Sequence, residues 1–167
     1  MKAAAVLLAL VGALALQTTL SGLTITGARM VNLVVVAVVY VALLYGPVAG
    51  LLAGTAGGLA QDALAGGIVG IGSLSKTIVG FLAGLLGAQF IVAQAFPRLV
   101  MFISASVLHD VCYQGLFALL EVRPLRLPYR AVLLQAAING IVGLTSFFVV
   151  ERLPGLLQKR RARRGRY

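Results

Sequence analysis

The sequence predicts an all-α integral membrane protein with six transmembrane helices. Of its 167 residues, 60% are hydrophobic and 11% are charged, whereas soluble domains carry roughly 25% charged residues. A spanning helix needs about 20 apolar residues, and the chain contains several uncharged runs of that length or longer. These runs are residues 3–28, 30–61, 77–97 and 131–150. A soluble fold of this size could not bury so much apolar surface.

The first helix is predicted at about 3–21, directly after Lys2. The segment also has the basic residue, apolar core and small residues of a signal peptide, so cleavage is an alternative. Its apolar run is longer than the roughly 7 to 15 residues of a signal core, and cleavage would leave five helices. A retained helix is therefore the preferred interpretation.

The second and third helices share the uncharged run over 30–61, which is too long for one ordinary span. The pair Gly46-Pro47 lies at its middle and is a turn and helix-start signal. We therefore predict two short helices, at about 30–45 and 47–62, that form a tight hairpin.

The last three helices are predicted at about 74–94, 98–120 and 131–151. No connection between helices is long enough to form a domain of its own. The chain is therefore predicted to form a single polytopic membrane domain over 1–158, followed by a basic cytoplasmic tail over 159–167.

Basic residues predict the orientation, because cytoplasmic loops carry an excess of lysine and arginine. With six helices both termini lie on one side of the bilayer, together with nine of the 14 basic residues. These nine are Lys2, Arg98, Arg152, Lys159, Arg160, Arg161, Arg163, Arg164 and Arg166, and the other five are Arg29, Lys76, Arg123, Arg126 and Arg130. Both termini are therefore predicted to be cytoplasmic. The basic tail is expected to be a topology anchor or to contact anionic lipid or a protein, and not nucleic acid.

Four polar residues are predicted to meet inside the bilayer, because the fifth and sixth helices run antiparallel and each carries polar residues at mid-depth. The predicted cluster is Asp110, Gln114, Gln135 and Asn139. An ionisable side chain at the bilayer centre costs ~2.5–3.5 kcal/mol, so it needs a partner or a cavity. The cluster is interpreted as interhelical hydrogen bonding, with a ligand contact or a proton site as alternatives.

No residue pattern indicates an enzyme. The HExxH, P-loop and GxSxG motifs are absent, and His109 is the only histidine. Adjacent residues on a helix point about 100° apart, so His109 and Asp110 are not expected to form a joint site. The lone Cys112 excludes an internal disulfide and a cysteine metal site. We therefore expect a non-enzymatic protein without a metal or a cofactor.

Glycines mark the faces on which helices approach closely. In lipid, small residues allow close backbone packing, which drives helix association. The third helix carries a stripe of four, which is Gly46, Gly50, Gly54 and Gly58, and the fourth carries Gly80, Gly84 and Gly87. A smaller stripe on the first helix is Ala5, Ala9 and Ala13. The glycine stripe is predicted to bind a partner helix or, as an equal alternative, to pack internally against the second or fourth helix.

Asp62 and Lys76 are predicted at the outer ends of the third and fourth helices, where charge costs less than at the bilayer centre. A surface ion pair there would contribute only ~0–1 kcal/mol. Their expected role is to hold a glycine-rich turn at the rim of a cavity.

The segment around these two charges resembles the MreD family of rod-shape-determining membrane proteins. The residues that carry the resemblance are Gly58, Leu59, Asp62, Gly66, Gly70, Leu74, Lys76, Val79 and Gly80. The chain length, six helices, short loops and basic C-terminus are also similar to that family.

The resemblance implies a non-enzymatic scaffold in the bacterial inner membrane. It implies that a transmembrane helix of MreC docks against the chain, with the stripe of Gly46, Gly50, Gly54 and Gly58 as the first candidate groove. The scaffold would connect MreB filaments to the lateral-wall synthases, and a homodimer within that complex is left open.

The MreD family is also similar in architecture to the substrate-binding membrane subunits of energy-coupling-factor vitamin transporters. The alternative function is therefore such a subunit, with Ala5, Ala9 and Ala13 as its docking face. The absence of tryptophan and the shortage of aromatic residues argue against a vitamin site.

Overall fold

The computed structural model describes residues 2–20, 24–25, 28–29, 31–66, 68–89, 94–120 and 128–164. In these ranges the helices are α1 (Lys2–Leu20), α2 (Leu33–Tyr45), α3 (Pro47–Ala65), α4 (Ile71–Gln89), α5 (Ala95–Leu119) and α6 (Tyr129–Arg164). Two short strands, β1 (Thr24–Ile25) and β2 (Ala28–Arg29), pair antiparallel between α1 and α2. Most of the predicted loop over 121–130, as well as 90–93 of the predicted fourth helix, lies outside the described residues.

Within the described residues, three helices are long and apolar enough to cross a membrane, namely α4, α5 and the Tyr129–Val150 part of α6. The chain is therefore an all-helical protein consistent with integration in a membrane. The first and third helices have 19 residues each. In contrast, α2 has 13 residues, or about 20 Å, which is shorter than the ~30 Å hydrocarbon layer.

The predicted second helix, at 30–45, differs from α2 at its start. The Asn32 side chain accepts a hydrogen bond from the Val35 backbone N–H at 3.3 Å, so Asn32 caps the helix and fixes its beginning at Leu33. At its other end α2 stops at Tyr45, and α3 begins at Pro47. Gly46 between them has a φ of 90°, a conformation that favours glycine.

The short helix α2 is the centre of the bundle. It packs against each of the other five helices. Around it, α1 contacts α3, α3 contacts α4, α4 contacts α5 and α5 contacts α6. Its buried residues, which fall on all sides of the helix, are Val34, Val35, Val36, Val38, Val39, Val41 and Ala42. A helix that is hydrophobic all round is an interior helix, so the core of this protein is built around α2.

The helices α3 and α4 pack backbone against backbone. A Cβ atom on Gly50 would collide with the carbonyl oxygen of Gly80, and one on Gly80 would collide with that of Gly50. Gly54 lies in the same way against the Lys76 backbone, and Gly58 against the Ser73 backbone. The glycine face of α3 is therefore filled by α4, which is the internal alternative. At the end of this contact, a Cβ on Gly84 would collide with the backbone of Gly46 and Pro47, whereas a Cβ on Gly46 itself would have open space.

The helices α5 and α6 are in contact where side chains of α5 lie against glycine residues of α6. A Cβ on Gly143 would meet the Phe102 ring, and the Arg98 guanidinium lies 4.3 Å from the centroid of the Phe147 ring. The Tyr40 ring of α2 lies 4.4 Å from that of Phe147, centroid to centroid. Aromatic side chains therefore join α2, α5 and α6 in one part of the core.

The sixth helix is longer than the predicted span at 131–151. It continues to Arg164 and has 36 residues, or about 54 Å. The helix continues through Pro154 and Gly155, although both residue types are unfavourable in a helix interior, and the leucine, glutamine, lysine and arginine residues after them are good helix formers. The backbone of most of the predicted basic tail, up to Arg164, is thus a continuation of α6.

Candidate functional site

Polar side chains from five helices, together with the capping residue Asn32, gather around the N-terminus of α2. We call this set the polar layer, and it consists of Gln17, Asn32, Asp62, Lys76, Ser106, His109, Asp110 and Asn139. The members from α1 to α5 lie at a similar depth. Counted from the end of the bundle where α1, α3 and α5 begin, they are about 11 to 15 residues along, or about 17 to 23 Å. The polar groups therefore form one layer across the bundle.

The first turn of α2 is held by side chains of two other helices. Gln17 of α1 accepts a hydrogen bond from the Leu33 N–H at 2.7 Å and donates one to the Val31 carbonyl at 2.9 Å. Asn139 of α6 accepts one from the Asn32 N–H at 3.0 Å. The first N–H groups of a helix lack partners within the helix, and here polar side chains supply them.

Asn139 also links this turn to α5. Its side-chain amide donates to the Ser106 hydroxyl at 3.0 Å, and Asn139 is completely buried. One amide side chain therefore joins α2, α5 and α6. A change at Ser106 or in the position of α6 alters the hydrogen bonding of the α2 N-terminus.

Asp62 closes the turn between α3 and α4. Its carboxylate accepts hydrogen bonds from the backbone N–H groups of Gly70 at 2.9 Å and Ser73 at 3.1 Å. Gly66 and Gly70 have φ angles of 65° and 111°, which favour glycine, and a Cβ on Gly72 would collide with the Asp62 carboxylate. The aspartate and the glycines of the sequence motif thus serve one local structure.

The possibility of an exposed surface ion pair does not fit Asp62 and Lys76, because both side chains are buried. Asp62 is 8% exposed and Lys76 is 2% exposed, because the close packing of α3 and α4 covers both side chains. The Lys76 ammonium donates a hydrogen bond to the Gly72 carbonyl at 3.2 Å. The charges of both residues also act on His109, so they belong to the interior of the polar layer.

His109 and Asp110 are in contact, contrary to the expectation that adjacent helical residues point apart. The imidazole Nδ1 lies 3.2 Å from the Asp110 Oδ1 atom. The angle of about 100° separates their Cα–Cβ bonds, whereas the outer atoms of both side chains bend toward each other. A face of the imidazole stacks with the Tyr113 ring, and the two ring centroids are 5.8 Å apart.

Three buried polar atoms in this region have no hydrogen-bond partner within the described part of the chain. They are the Oε1 atom of Gln61, the Nε2 atom of His109 and the Oδ2 atom of Asp110. Leaving such a group unsatisfied costs about 1–3 kcal/mol. Unpartnered buried groups of this kind are typical of places where a water, an ion or a ligand is held.

The predicted cluster of four differs from this arrangement. The register of α5 against α6 is set by three contacts at intervals of four residues, which are Arg98 with Phe147, Phe102 with Gly143 and Ser106 with Asn139. The next pair in this register is Asp110 and Gln135. In the described chain, however, no hydrogen bond joins Gln135 or Gln114 to the other two members. Their place is taken by other residues, which are Ser106, His109 and Asn32.

Gln17 and Asn32 were not among the predicted site residues. A signal for each is present in the sequence, since Gln17 follows an uninterrupted apolar run and Asn32 directly precedes a run of valines. Both patterns indicate a polar group placed at a helix end. Of the predicted stripe on α1, Ala9 and Ala13 are partly buried, and the Ala5 side chain lies outside the described set.

No group of three or more histidine, cysteine, aspartate or glutamate side chains that could hold a metal ion occurs in the described ranges.

Comparison with known proteins identifies one family. The family model described as 5TMR of 5TMR-LYT matches residues 1–145, which cover α1 to α5 and the first part of α6. This is a family of sensor domains with five transmembrane segments, associated with LytS. No curated protein and no solved structure matches the chain significantly.

This match corrects the resemblance to MreD, which is wrong. The motif that suggested it consists mainly of residues that close the turn at Asp62 and let α3 and α4 touch. A tight helical hairpin needs such residues in any family. The scaffold function and the partners MreC, MreB and the lateral-wall synthases lose the resemblance on which they rested, and they remain untested.

Proposed function

The chain belongs to the family of 5TMR domains of 5TMR-LYT, and we propose that it is the membrane-embedded sensor module of a bacterial signalling system. In this proposal the polar layer receives the stimulus, and α6 carries the response out of the membrane. Five helices of 19 or more residues surround the 13-residue α2. We interpret these five as the spans of the family and α2 as an interior element.

The observation that carries the proposal is the set of unpartnered polar atoms beside the N-terminus of a central helix. A protein that only needed helix packing would gain from apolar side chains there, because buried polar groups cost free energy unless they are paired. Polar and ionisable residues inside a membrane domain mark functional sites by default. Here, His109 and Asp110 each keep one buried atom available.

Asn139 provides a direct connection from this site to α6. Its hydrogen bonds to Asn32 and Ser106 depend on the position of α6 relative to α2 and α5. A shift of α6 by ~1–2 Å, as is common in switching proteins, would break at least one of them. In this proposal α6 has two positions, which differ in these hydrogen bonds. The stimulus shifts the population from one position to the other.

The orientation completes the proposal. The interior helix α2 returns the chain to the end of the bundle where α1 and α3 begin, so both termini lie at that end. The basic residues Lys2, Arg98 and those at the end of α6 favour a cytoplasmic position for that end, and we assign the chain to the bacterial inner membrane. The polar layer then lies closer to the outer side, and the extended C-terminal part of α6 lies in the cytoplasm. This arrangement is suited to a signal that passes inward.

Distance measurements between spin labels test the proposal. With Cys112, the only cysteine, replaced by serine, labels on exposed Leu86 of α4 and Val149 of α6 report the position of α6 in lipid nanodiscs. We expect two distance populations whose ratio changes in Asn139→Ala. The matched control is Thr145→Ala, because Thr145 bonds only within its own helix. A single population that Asn139→Ala leaves unchanged would contradict the proposal.

Deletion of the coding sequence in its host separates this function from the other expectations. We expect a lost response to an external stimulus with normal cell shape and normal vitamin uptake. Rounded cells would support the scaffold function, and lost vitamin uptake would support the transporter subunit. Either result would overturn the sensor proposal.

A further inference from the structure

We propose that the His109–Asp110 pair is a reversible proton-binding site inside the bundle. This goes beyond the sensor proposal by naming the proton as a ligand of the polar layer. The proton site itself stands on the geometry of α3, α4 and α5. Its effect on α2 and α6 rests on the proposed function.

The geometry gives the pair one internal contact and two available atoms. The Nδ1 atom of His109 lies 3.2 Å from the Oδ1 atom of Asp110, within hydrogen-bond distance. The Nε2 atom of His109 and the Oδ2 atom of Asp110 are buried without partners in the described chain. An added proton can therefore bind to this nitrogen or this oxygen atom, and no existing hydrogen bond has to break.

Ionisable groups from three helices act on His109. The groups whose charges act on it are Asp110 on its own helix, Lys76 on α4 and Asp62 on α3. The packed helices α2 and α6 bring no acid, lysine, arginine or histidine between residues 33 and 45 or between 131 and 150. With Lys76 charged and both carboxylates ionised, the layer carries one excess negative charge, which a single added proton neutralises. Uncompensated charge in a low-dielectric interior is costly.

A path of buried contacts leads from this pair to the α2 N-terminus. Ser106 lies one helical turn before His109 on the same buried face of α5. It accepts the hydrogen bond of Asn139, which in turn holds the Asn32 N–H. Protonation changes the charge one turn from Ser106, and we expect the Ser106–Asn139–Asn32 bonds to respond.

The single histidine makes the test direct. The full chain, labelled with ¹⁵N-histidine and placed in lipid nanodiscs, gives one imidazole spectrum. It is recorded from about pH 4 to about pH 9, a range that brackets the ordinary values of aspartate and histidine. We expect one reversible proton uptake within this range, seen in the nitrogen shifts of His109. An imidazole that keeps one protonation state across the whole range would overturn the proposal, and this measurement needs no variant.

Two variants of opposite charge sharpen the test. Asp110→Asn removes the attracting carboxylate and should move the titration midpoint to lower pH by about one unit or more. Lys76→Gln removes a repelling charge and should move it to higher pH. The matched control is Arg98→Gln, which removes a charge about 16 Å away on the same helix and should leave the midpoint unchanged. A midpoint that Asp110→Asn does not move would contradict a site shared by the pair. Circular dichroism identifies any variant that does not fold.

The consequence for the sensor is measured separately. Hydrogen–deuterium exchange of the amides from Asn32 to Val35, corrected for intrinsic rates, should change across the His109 transition. Titration of His109 without this change would uphold the proton site and contradict its role in the proposed function. Absence of titration would remove the proton site and leave the sensor proposal standing on its own test.

Discussion

The α3–α4 pair and the α5–α6 pair are joined by different chemistry. In α3–α4 the backbones touch, because Gly50, Gly54, Gly58 and Gly80 leave no side chain between them. In α5–α6 the ring of Phe102 fills the space over a glycine, and polar side chains connect the helices further along. The first pair has no room for a second arrangement. The second pair holds its position through rotatable side chains.

The hydrogen bonding of the buried carboxylates follows the same division, although Gln61 of α3 also has a buried side-chain oxygen without a partner in the described chain. In the turn of α3 and α4, the Asp62 carboxylate accepts two backbone hydrogen bonds. In α5, His109 and Asp110 each keep a buried atom without a partner in the described chain. Close backbone packing resists a change of position, whereas side chains with unmet hydrogen bonds can exchange one set of partners for another. In the proposed function, α3–α4 is therefore the fixed frame and α6 is the moving element.

The largest effect should come from breaking the frame. Gly54→Leu places a large side chain where the Lys76 and Thr77 backbone lies, so we expect a loss of stability of about 3 kcal/mol or more and little folded protein. The measurement is the yield of monodisperse protein and its thermal midpoint. The control is Gly115→Leu, since a Cβ on Gly115 has open space. Equal stability of the two variants would show that the glycine contact is unimportant.

The next effect concerns the link between α2, α5 and α6. Asn139→Leu leaves the Asn32 N–H and the Ser106 hydroxyl without that partner, so we expect a destabilisation of about 1–3 kcal/mol in unfolding experiments. Gln135→Leu, on the same helix, removes an amide that forms no hydrogen bond in the described chain and should be close to neutral. A reversed order of the two variants would place the structural link at Gln135.

A smaller effect is expected at the turn of the frame. Asp62→Asn keeps the shape of the side chain but loses its charge, and hydrogen bonds to charged groups are roughly twice as strong as neutral ones. We expect a loss of about 1 kcal/mol and faster amide exchange at Gly70 and Ser73. Unchanged exchange at those two amides would contradict the role of Asp62 in closing the turn.

The smallest effect tests a single hydroxyl pair between the frame helices. The Oγ1 atoms of Thr55 and Thr77 are 2.9 Å apart, and such contacts in membrane proteins contribute ~0.6 kcal/mol on average. Thr55→Ala should therefore lower the stability only slightly, because the glycine contacts beside it remain. A loss as large as that of Gly54→Leu would mean that hydroxyl groups, and not close backbone packing, hold the frame.

Much of the helix order could be predicted from the sequence, because apolar length and the Gly46-Pro47 pair are local signals. The central position of α2 could not be predicted in this way. The sequence is compatible with a short span that begins at residue 30. In the structure, the strand pair β1–β2 and the Asn32 cap precede the helix, which begins at Leu33. The uniform run of valines is also compatible with lipid contact, so only the packing identifies α2 as an interior helix.

The site was harder to predict because it depends on which helices are neighbours. The glycine face of α3 has the same chemistry whether a partner or α4 covers it. Hydropathy placed Lys76 near a helix end, and burial at that end results from the surrounding helices. Asn139 and Asp110 could be recognised as intramembrane polar residues, whereas their true partners, Asn32 and His109, follow from the three-dimensional register and from side-chain conformation.

Spin-label distances in one membrane preparation test the central claim, that α6 moves against a fixed α3–α4 frame, most directly. One pair of labels, on exposed Leu52 and Leu82, spans α3 and α4; the other, on Leu86 and Val149, spans α4 and α6. We predict a single narrow distance within the frame and two populations between α4 and α6. Two populations within the frame, or a single one between α4 and α6, would contradict the account.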